Sequence, residues 1–287
     1  MKIAVLGAEN THIDEIGKII CENPTLYGDI KIAGVYSNEP DAVNRIIKKG
    51  YTDYAAQSYD EFVGKVDAAM VIARHGDNHL KYALPYIKAG IPCFIDKPFC
   101  ANYKDALLLA NTAKENGALL CGGSCLKFIN ETKPLAEVIK SEAVLSASVG
   151  TPINAVNPYG AFWFYTQHLI EMITSVFGFD AIKSVIANYP DKNKNRATVI
   201  FNCGEYDICG FYTTSNSYYA TVVTDKGLYH AQCDNVAYAI KELFDEFVNM
   251  VKSGVMPCDY DKLVYPVKIL DAIERSFTEK REIKVID

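Results

Sequence analysis

From Lys2 to about Ser124 the apolar residues alternate between two rhythms: short unbroken runs of strand length, and stretches repeating every three to four positions as on a helix face. Lys2 to Gly7 (KIAVLG) is the first run. After Asn10 and Thr11, both suited to helix N-caps, Ile13, Ile16, Ile19 and Ile20 share one helical face. Ile30 to Tyr36 predicts a second strand, Glu39 to Lys49 a helix closed by Gly50, and Ser58 the cap of a short helix. Asp67 to Ala73 predicts a third strand, Asn78 to Ala89 a helix stopped by Gly90 and Pro92, and Pro92 to Ile95 a fourth strand. Asn102 then caps a helix ending at Gly117, and Ala118 to Cys121 is the fifth β run. Strands that are apolar throughout need cover on both faces, which predicts a parallel sheet with helices on each side.

The second half reads differently. A helix over about Phe164 to Phe177 is followed by strand-like segments near 182–189, 197–203, 206–213 and 218–224, with turns at Gly204-Glu205 and Lys226-Gly227. Helices follow at about Tyr238 to Lys252 and Tyr260 to Phe277. The predicted fold class is therefore α/β: an N-terminal doubly wound parallel Rossmann sheet over 1–123, then an α+β domain over 124–287 on a mostly antiparallel sheet.

A length of 287 residues suits two domains, and 49% hydrophobic with 22% charged residues is ordinary globular composition. A net charge of -6 with no basic stripe argues against nucleic acid as a partner. No apolar run reaches the roughly 20 residues of a membrane span, and the N-terminus leads straight into a strand, so the expected location is cytoplasmic. The nine cysteines include no CxxC pair, Cys121 and Cys125 coming nearest, which suits reduced thiols. No metal-ligand spacing occurs, so no metal is expected.

Ligands of such sheets bind at the carboxyl ends of the strands. After strand one the chain reads Gly7-Ala8-Glu9-Asn10-Thr11-His12, where a Gly-x-Gly-x-x-Gly fingerprint would place two further glycines at positions 9 and 12. Gly7 alone equally suits a plain strand-to-helix turn. A carboxylate at Glu9 repels a diphosphate unless it turns away, while the helix start still offers N–H groups to an anion. Ser37-Asn38 replaces the acidic residue that usually accepts the ribose 2′-hydroxyl of NAD, and such polar groups suit a 2′-phosphate, which favours NADP over NAD.

The stretch from Asp67 to Pro98, with His79, Ala89-Gly90 and Asp96-Lys97-Pro98 at matching intervals, resembles the glucose-fructose oxidoreductase, inositol dehydrogenase and MocA (Gfo/Idh/MocA) family. The resemblance continues through a helix carrying His168 and a closing segment from Gly254 to Val285. It departs at Arg74-His75, where the family has Thr-Pro, and at Phe164, where the family motif Asp-x-Gly-x-His has its Asp. The resemblance implies an NAD(P)-dependent oxidoreductase acting on a small sugar, polyol or related carbonyl substrate, assembled as a homodimer or homotetramer.

Lys97, at a strand end before a rigid proline, is the first catalytic candidate, since its charge can polarise a substrate oxygen; a lysine stem packed at a domain edge is the alternative. His168 is the second, able to move a proton near neutral pH, with Glu171 on its helix face to orient it; a core histidine is the competing account. The resemblance implies that both act beside one nicotinamide. Gly7, Glu9, Asn10, Thr11, Ser37, Asn38, Ala73, Arg74, His75, His79, Asp96 and Lys97 are the cofactor-binding candidates, and Lys97, Lys127, Tyr165 and His168 the substrate-binding ones. The degraded motifs keep a second reading open, a nucleotide or metabolite binder that has lost its chemistry.

Overall fold

The computed structural model describes residues 1–189, 196–233 and 236–285. By contact the chain forms two compact units, one of Met1–Gly123 with Ile240–Val264 and one of Ser124–Ala239 with Tyr265–Asp287. A short stretch near the C-terminus therefore packs with the N-terminal unit.

In the first unit the elements run β1 (Lys2–Leu6), α1 (His12–Glu22), α2 (Pro24–Tyr27), β2 (Lys31–Tyr36), α3 (Pro40–Lys48), β3 (Ala68–Val71), α4 (Asp77–Lys88), β4 (Cys93–Asp96), α5 (Tyr103–Asn116) and β5 (Leu120–Gly123). The five strands form one parallel sheet in the order β2-β1-β3-β4-β5. Strands β3, β4 and β5 are buried at every position, as expected of a sheet covered on both faces. Asn102 caps α5 by accepting from the Asp105 amide at 2.8 Å, which satisfies one of the orphan donors of its first turn.

The short helix expected after Ser58 does not form. Ser58 bonds Asp60 and Glu61 accepts from the Gln57 amide, a plausible helix start. The backbone then reaches φ +74° at Gly64 and leaves the segment as turns.

Helix α8 (Tyr238–Ser253) and the first residues of α9 (Tyr260–Glu279) supply the C-terminal part of this unit. Phe247 lies 5.8 Å from the Phe94 ring and Phe244 lies 5.4 Å from Tyr27, while Tyr27 donates to Asp245 and Tyr260 to the Ala118 carbonyl. These are core contacts with polar tips satisfied at the edge.

The second unit contains α6 (Lys133–Val138), β6 (Val144–Pro152), α7 (Trp163–Phe177), β7 (Ser184–Asn188), β8 (Ala197–Asn202), β9 (Asp207–Thr213), β10 (Tyr218–Thr224), β11 (Leu228–Cys233) and β12 (Ile283–Lys284), with most of α9. Its sheet runs β11-β10-β6-β9-β8-β7-β12, antiparallel except for β6 beside β9. One face is buried beneath α7, where Leu169 approaches Gly210 and the Tyr212 hydroxyl donates to the Thr166 carbonyl. On the other face Ile186 and Ile200 stand opposite each other and are exposed.

Among the described residues no disulfide joins the cysteines, with Cys93 and Cys121 buried and Cys203 partly exposed rather than enclosed. Among the described residues no helix is long and apolar enough to cross a membrane.

Gly7 fixes the site end of the first sheet. Its φ is +95°, and a Cβ built there would lie 2.2 Å from the Ala73 Cα, so β1 turns directly against the backbone leaving β3. Gly7→Ala is expected to cost about 2 to 4 kcal/mol, from overpacking and backbone strain together. A thermal melt checks this, and an unchanged midpoint would show the contact to be relaxed.

Candidate functional site

The sheet order places β2 and β3 on opposite sides of β1, so the chain reverses its winding direction there, and a crevice opens beyond the strand ends at such a point. The β1–α1 loop, the ends of β2 and β3, and the end of β4 meet at this place. Each brings a polar group.

Glu9 is buried and its carboxylate is turned inward. Ser37, the residue after β2, donates its hydroxyl to Oε2 at 2.6 Å, and the Arg74 amide, beyond β3, donates to Oε1 at 3.1 Å. The Arg74 guanidinium donates to the Glu9 carbonyl. Arg45 on α3 donates to the Ala8 carbonyl at 2.8 Å and pairs with Asp14. A loop with only one of the three fingerprint glycines is thus held in shape by side chains.

Asp96 closes the other side. It is fully buried, and its Oδ2 accepts from Asn10 Nδ2 at 2.9 Å and lies 2.9 Å from His12 Nδ1. Burial pushes the carboxyl up, but His12 beside it, by charge and hydrogen bond, and the Lys97 charge pull it further down, so it stays below its ordinary value. Its Oδ1 has no hydrogen-bond partner among the described residues. Lys97 follows directly and is also buried. Asn10 accepts from the His12 amide at 3.0 Å, which turns the chain into α1, while Thr11 makes no side-chain cap.

His79 is enclosed completely. Nε2 lies 2.8 Å from the Ala73 carbonyl and Nδ1 3.3 Å from the Phe99 carbonyl. Burial drives its pKa down, which keeps the ring neutral, and its single N–H serves the shorter contact. This histidine ties the strand ends carrying Arg74 and Lys97 together and is placed for support. His75 accepts from the Asp77 amide at the start of α4.

The expected preference for NADP loses its basis. Ser37 donates its hydroxyl to Glu9 and accepts from the Glu39 amide, and Asn38 is spent between the Tyr36 and Tyr82 hydroxyls. The one Ser37 hydroxyl proton goes to Glu9, whose carboxylate stands beside both residues.

In the second unit α7 carries a second buried cluster. Ser124 Oγ lies 2.6 Å from His168 Nδ1 and also accepts from the Leu126 amide. Glu171 accepts from the Ser124 amide at 3.1 Å and from Gln167 at 2.9 Å. Glu171 thus holds Ser124, and Ser124 meets the imidazole. The Tyr165 ring lies 5.4 Å and the Tyr218 ring 6.4 Å from His168, and burial pushes the Tyr218 hydroxyl up to about 12. Phe164 packs against Tyr165, and Lys127 Nζ lies 5.1 Å from the Phe128 ring. Sequence reasoning missed Ser124 and His12; the only signals were their positions just beyond the carboxyl end of a strand and at the start of a helix.

These features define a dinucleotide-binding Rossmann unit. Gly7 allows the close turn, the α1 N-terminus points into the crevice without a Thr11 cap, and a buried carboxylate lies at the end of β2, so the residues present fit a dinucleotide. Residues 1–123 match the family model described as Gfo/Idh/MocA, oxidoreductase family, NAD-binding Rossmann fold. A search of curated protein sequences finds no match.

The fold is shared along the whole chain with solved structures. A myo-inositol dehydrogenase from Corynebacterium glutamicum aligns over 100% of this chain and 99% of its own, with TM-score 0.81 and 14% identity. The WlbA dehydrogenase from Bordetella pertussis, solved with NADH and UDP-GlcNAcA, aligns over 99% and 98%, with TM-score 0.80 and 14% identity. The scyllo-inositol dehydrogenase from Lactobacillus casei, solved with NAD(H) and scyllo-inositol, aligns over 99% of both chains, with TM-score 0.78 and 14% identity.

Buried His79 and Asp96 both make stability fall as pH falls, each in its own range. His79 has a lowered folded pKa, so the unfolded chain takes up a proton that the folded one refuses, and stability falls as pH drops below about 6.5. Asp96 stabilises above its unfolded pKa of about 3.9, and that contribution is lost as pH falls through its lower folded value. Denaturant midpoints of wild type and His79→Gln, measured from pH 7 to 5, should converge as pH falls. A gap that stays constant would mean that His79 takes up its proton equally in the folded and unfolded chain.

Proposed function

We propose that this chain is an NAD-dependent oxidoreductase that interconverts hydroxyl and carbonyl groups on a small sugar, polyol or related substrate, with Lys97 and His168 as its catalytic residues. The observation that carries this reading is the buried Asp96-Lys97 pair at the end of β4, next to the loop that turns against Gly7. A positive charge is most effective at polarising an oxygen where water is excluded, and Lys97 is buried at a strand end.

Bound NAD supplies the acceptor or donor of hydride. Asn10, Thr11 and the α1 N-terminus would hold its diphosphate, and Lys97 would bind the substrate oxygen. His168 takes or returns the hydroxyl proton. Ser124, held by Glu171, fixes the orientation and tautomer of His168 and so does the orienting work that an Asp at position 164 would otherwise do. Tyr165 and Lys127 bind substrate. Residues 1–123 serve the cofactor, and 124–287 serve substrate binding and assembly into a homodimer or homotetramer. The exposed Ile186 and Ile200 on the open sheet face support that assembly.

Phe164 and Glu9, standing where the family motifs have Asp and Gly, favour a second reading in which the chain binds a nucleotide without turnover. Assay of NADH formation against a panel of polyols and sugars separates the two. Under the first reading Lys97→Ala lowers kcat/KM about 10²- to 10⁴-fold, and Ser124→Ala lowers kcat about tenfold and alters the pH profile with KM little changed. Tight nucleotide binding with no turnover on any substrate, and no effect of Lys97→Ala beyond binding, would favour the second.

A further inference from the structure

The proposed function leaves open which group reads the adenosine ribose. Dinucleotide-binding sheets receive that ribose at the end of the second strand, where an acidic side chain accepts the 2′-hydroxyl of NAD and repels the 2′-phosphate of NADP. Here β2 ends at Tyr36 and is followed by Ser37-Asn38, so the strand brings no carboxylate of its own. Glu39, two residues beyond Ser37, is exposed and uses its amide, not its carboxylate, to bond Ser37.

We infer that Glu9, reaching from the β1–α1 loop to the end of β2, is the ribose acceptor and makes the site selective for NAD over NADP. Its Oε2 lies 2.6 Å from Ser37 Oγ, which puts a carboxylate at the β2 terminus by a different chain route. The Arg74 amide fixes the other oxygen at 3.1 Å, so the group is held rather than swinging. Each carboxylate oxygen can accept about two hydrogen bonds, and Ser37 and Arg74 each donate one, which leaves acceptor capacity for ribose hydroxyls.

The surrounding charges agree. The guanidinium groups of Arg74 and Arg45 point to the Glu9 and Ala8 carbonyls, and Arg45 is further paired with Asp14. A 2′-phosphate, with about two negative charges, would be set against the buried Glu9 side chain, whose oxygens serve as acceptors. The sequence position is consistent with this role. A glycine at position 9 serves close approach to the diphosphate; in this chain the side chain leaves that path by turning to Ser37.

This inference rests on the reading of the unit as a dinucleotide site, and the test separates the two. NADH and NADPH are titrated by fluorescence into the full chain, as wild type, Glu9→Gln, Glu9→Gln with Ser37→Asp, and Glu39→Gln. Wild type is expected to prefer NADH by about tenfold or more, and Glu9→Gln to bring the two within about threefold. Adding Ser37→Asp should restore the NADH preference by returning an acid to the strand end, a gain that a misfolded variant cannot give. Glu39→Gln should match wild type. A wild type without NADH preference, an unchanged ratio in Glu9→Gln, or a shift in Glu39→Gln instead overturns the inference while leaving the oxidoreductase reading intact. Failure of wild type to bind either nucleotide overturns both.

Discussion

Two carboxylates taken out of water at the carboxyl end of one parallel sheet organise this protein. Burying a charge is costly unless partners compensate it, so Glu9 and Asp96 each draw donors from elements distant in sequence. Glu9 joins the β1–α1 loop to the ends of β2 and β3, and Asp96 joins the same loop to the end of β4. Four strand ends are thereby cross-linked at the place where the sheet reverses its winding. A loop that has lost two of its three fingerprint glycines keeps a defined shape because side chains impose it.

Support of this kind has a chemical consequence. A glycine-rich loop yields to the ligand by bringing backbone close, whereas a loop braced by carboxylates presents fixed charge and fixed acceptors. His79, neutral and enclosed, extends the bracing to the backbone at Ala73, beyond β3, and at Phe99, just after Lys97-Pro98. On α7 the same principle recurs, with Glu171 holding Ser124 and Ser124 meeting His168. In both clusters a buried carboxylate positions the groups that the proposed chemistry uses.

Much of the first sheet was legible in the sequence because strands buried on both faces must be apolar throughout, and helices between them must show a single apolar face. The second sheet was partly legible. β8, β9 and β10 alternate in burial and read as strands, but β6 carries Ser146, Ser148 and Gly150 and hides its alternation, although it pairs with two neighbours in the middle of the sheet. β11, with Tyr229, His230 and Gln232, reads as loop for the same reason. Lys97, His168 and Glu171 were nameable from motif and spacing. Ser124 and His12 were not, because each earns its place through a partner 44 and 84 residues away respectively. The inward turn of Glu9, and with it the case against NADP, depends on Ser37 and Arg74 arriving together, which no local pattern encodes.

The most direct measurement is a crystal structure of the chain with NAD. The account predicts a Glu9 carboxylate oxygen within about 3 Å of an adenosine ribose hydroxyl, with the Ser37 contact kept. A ribose bound elsewhere, or a Glu9 side chain swung out with its Ser37 and Arg74 bonds broken, would contradict it.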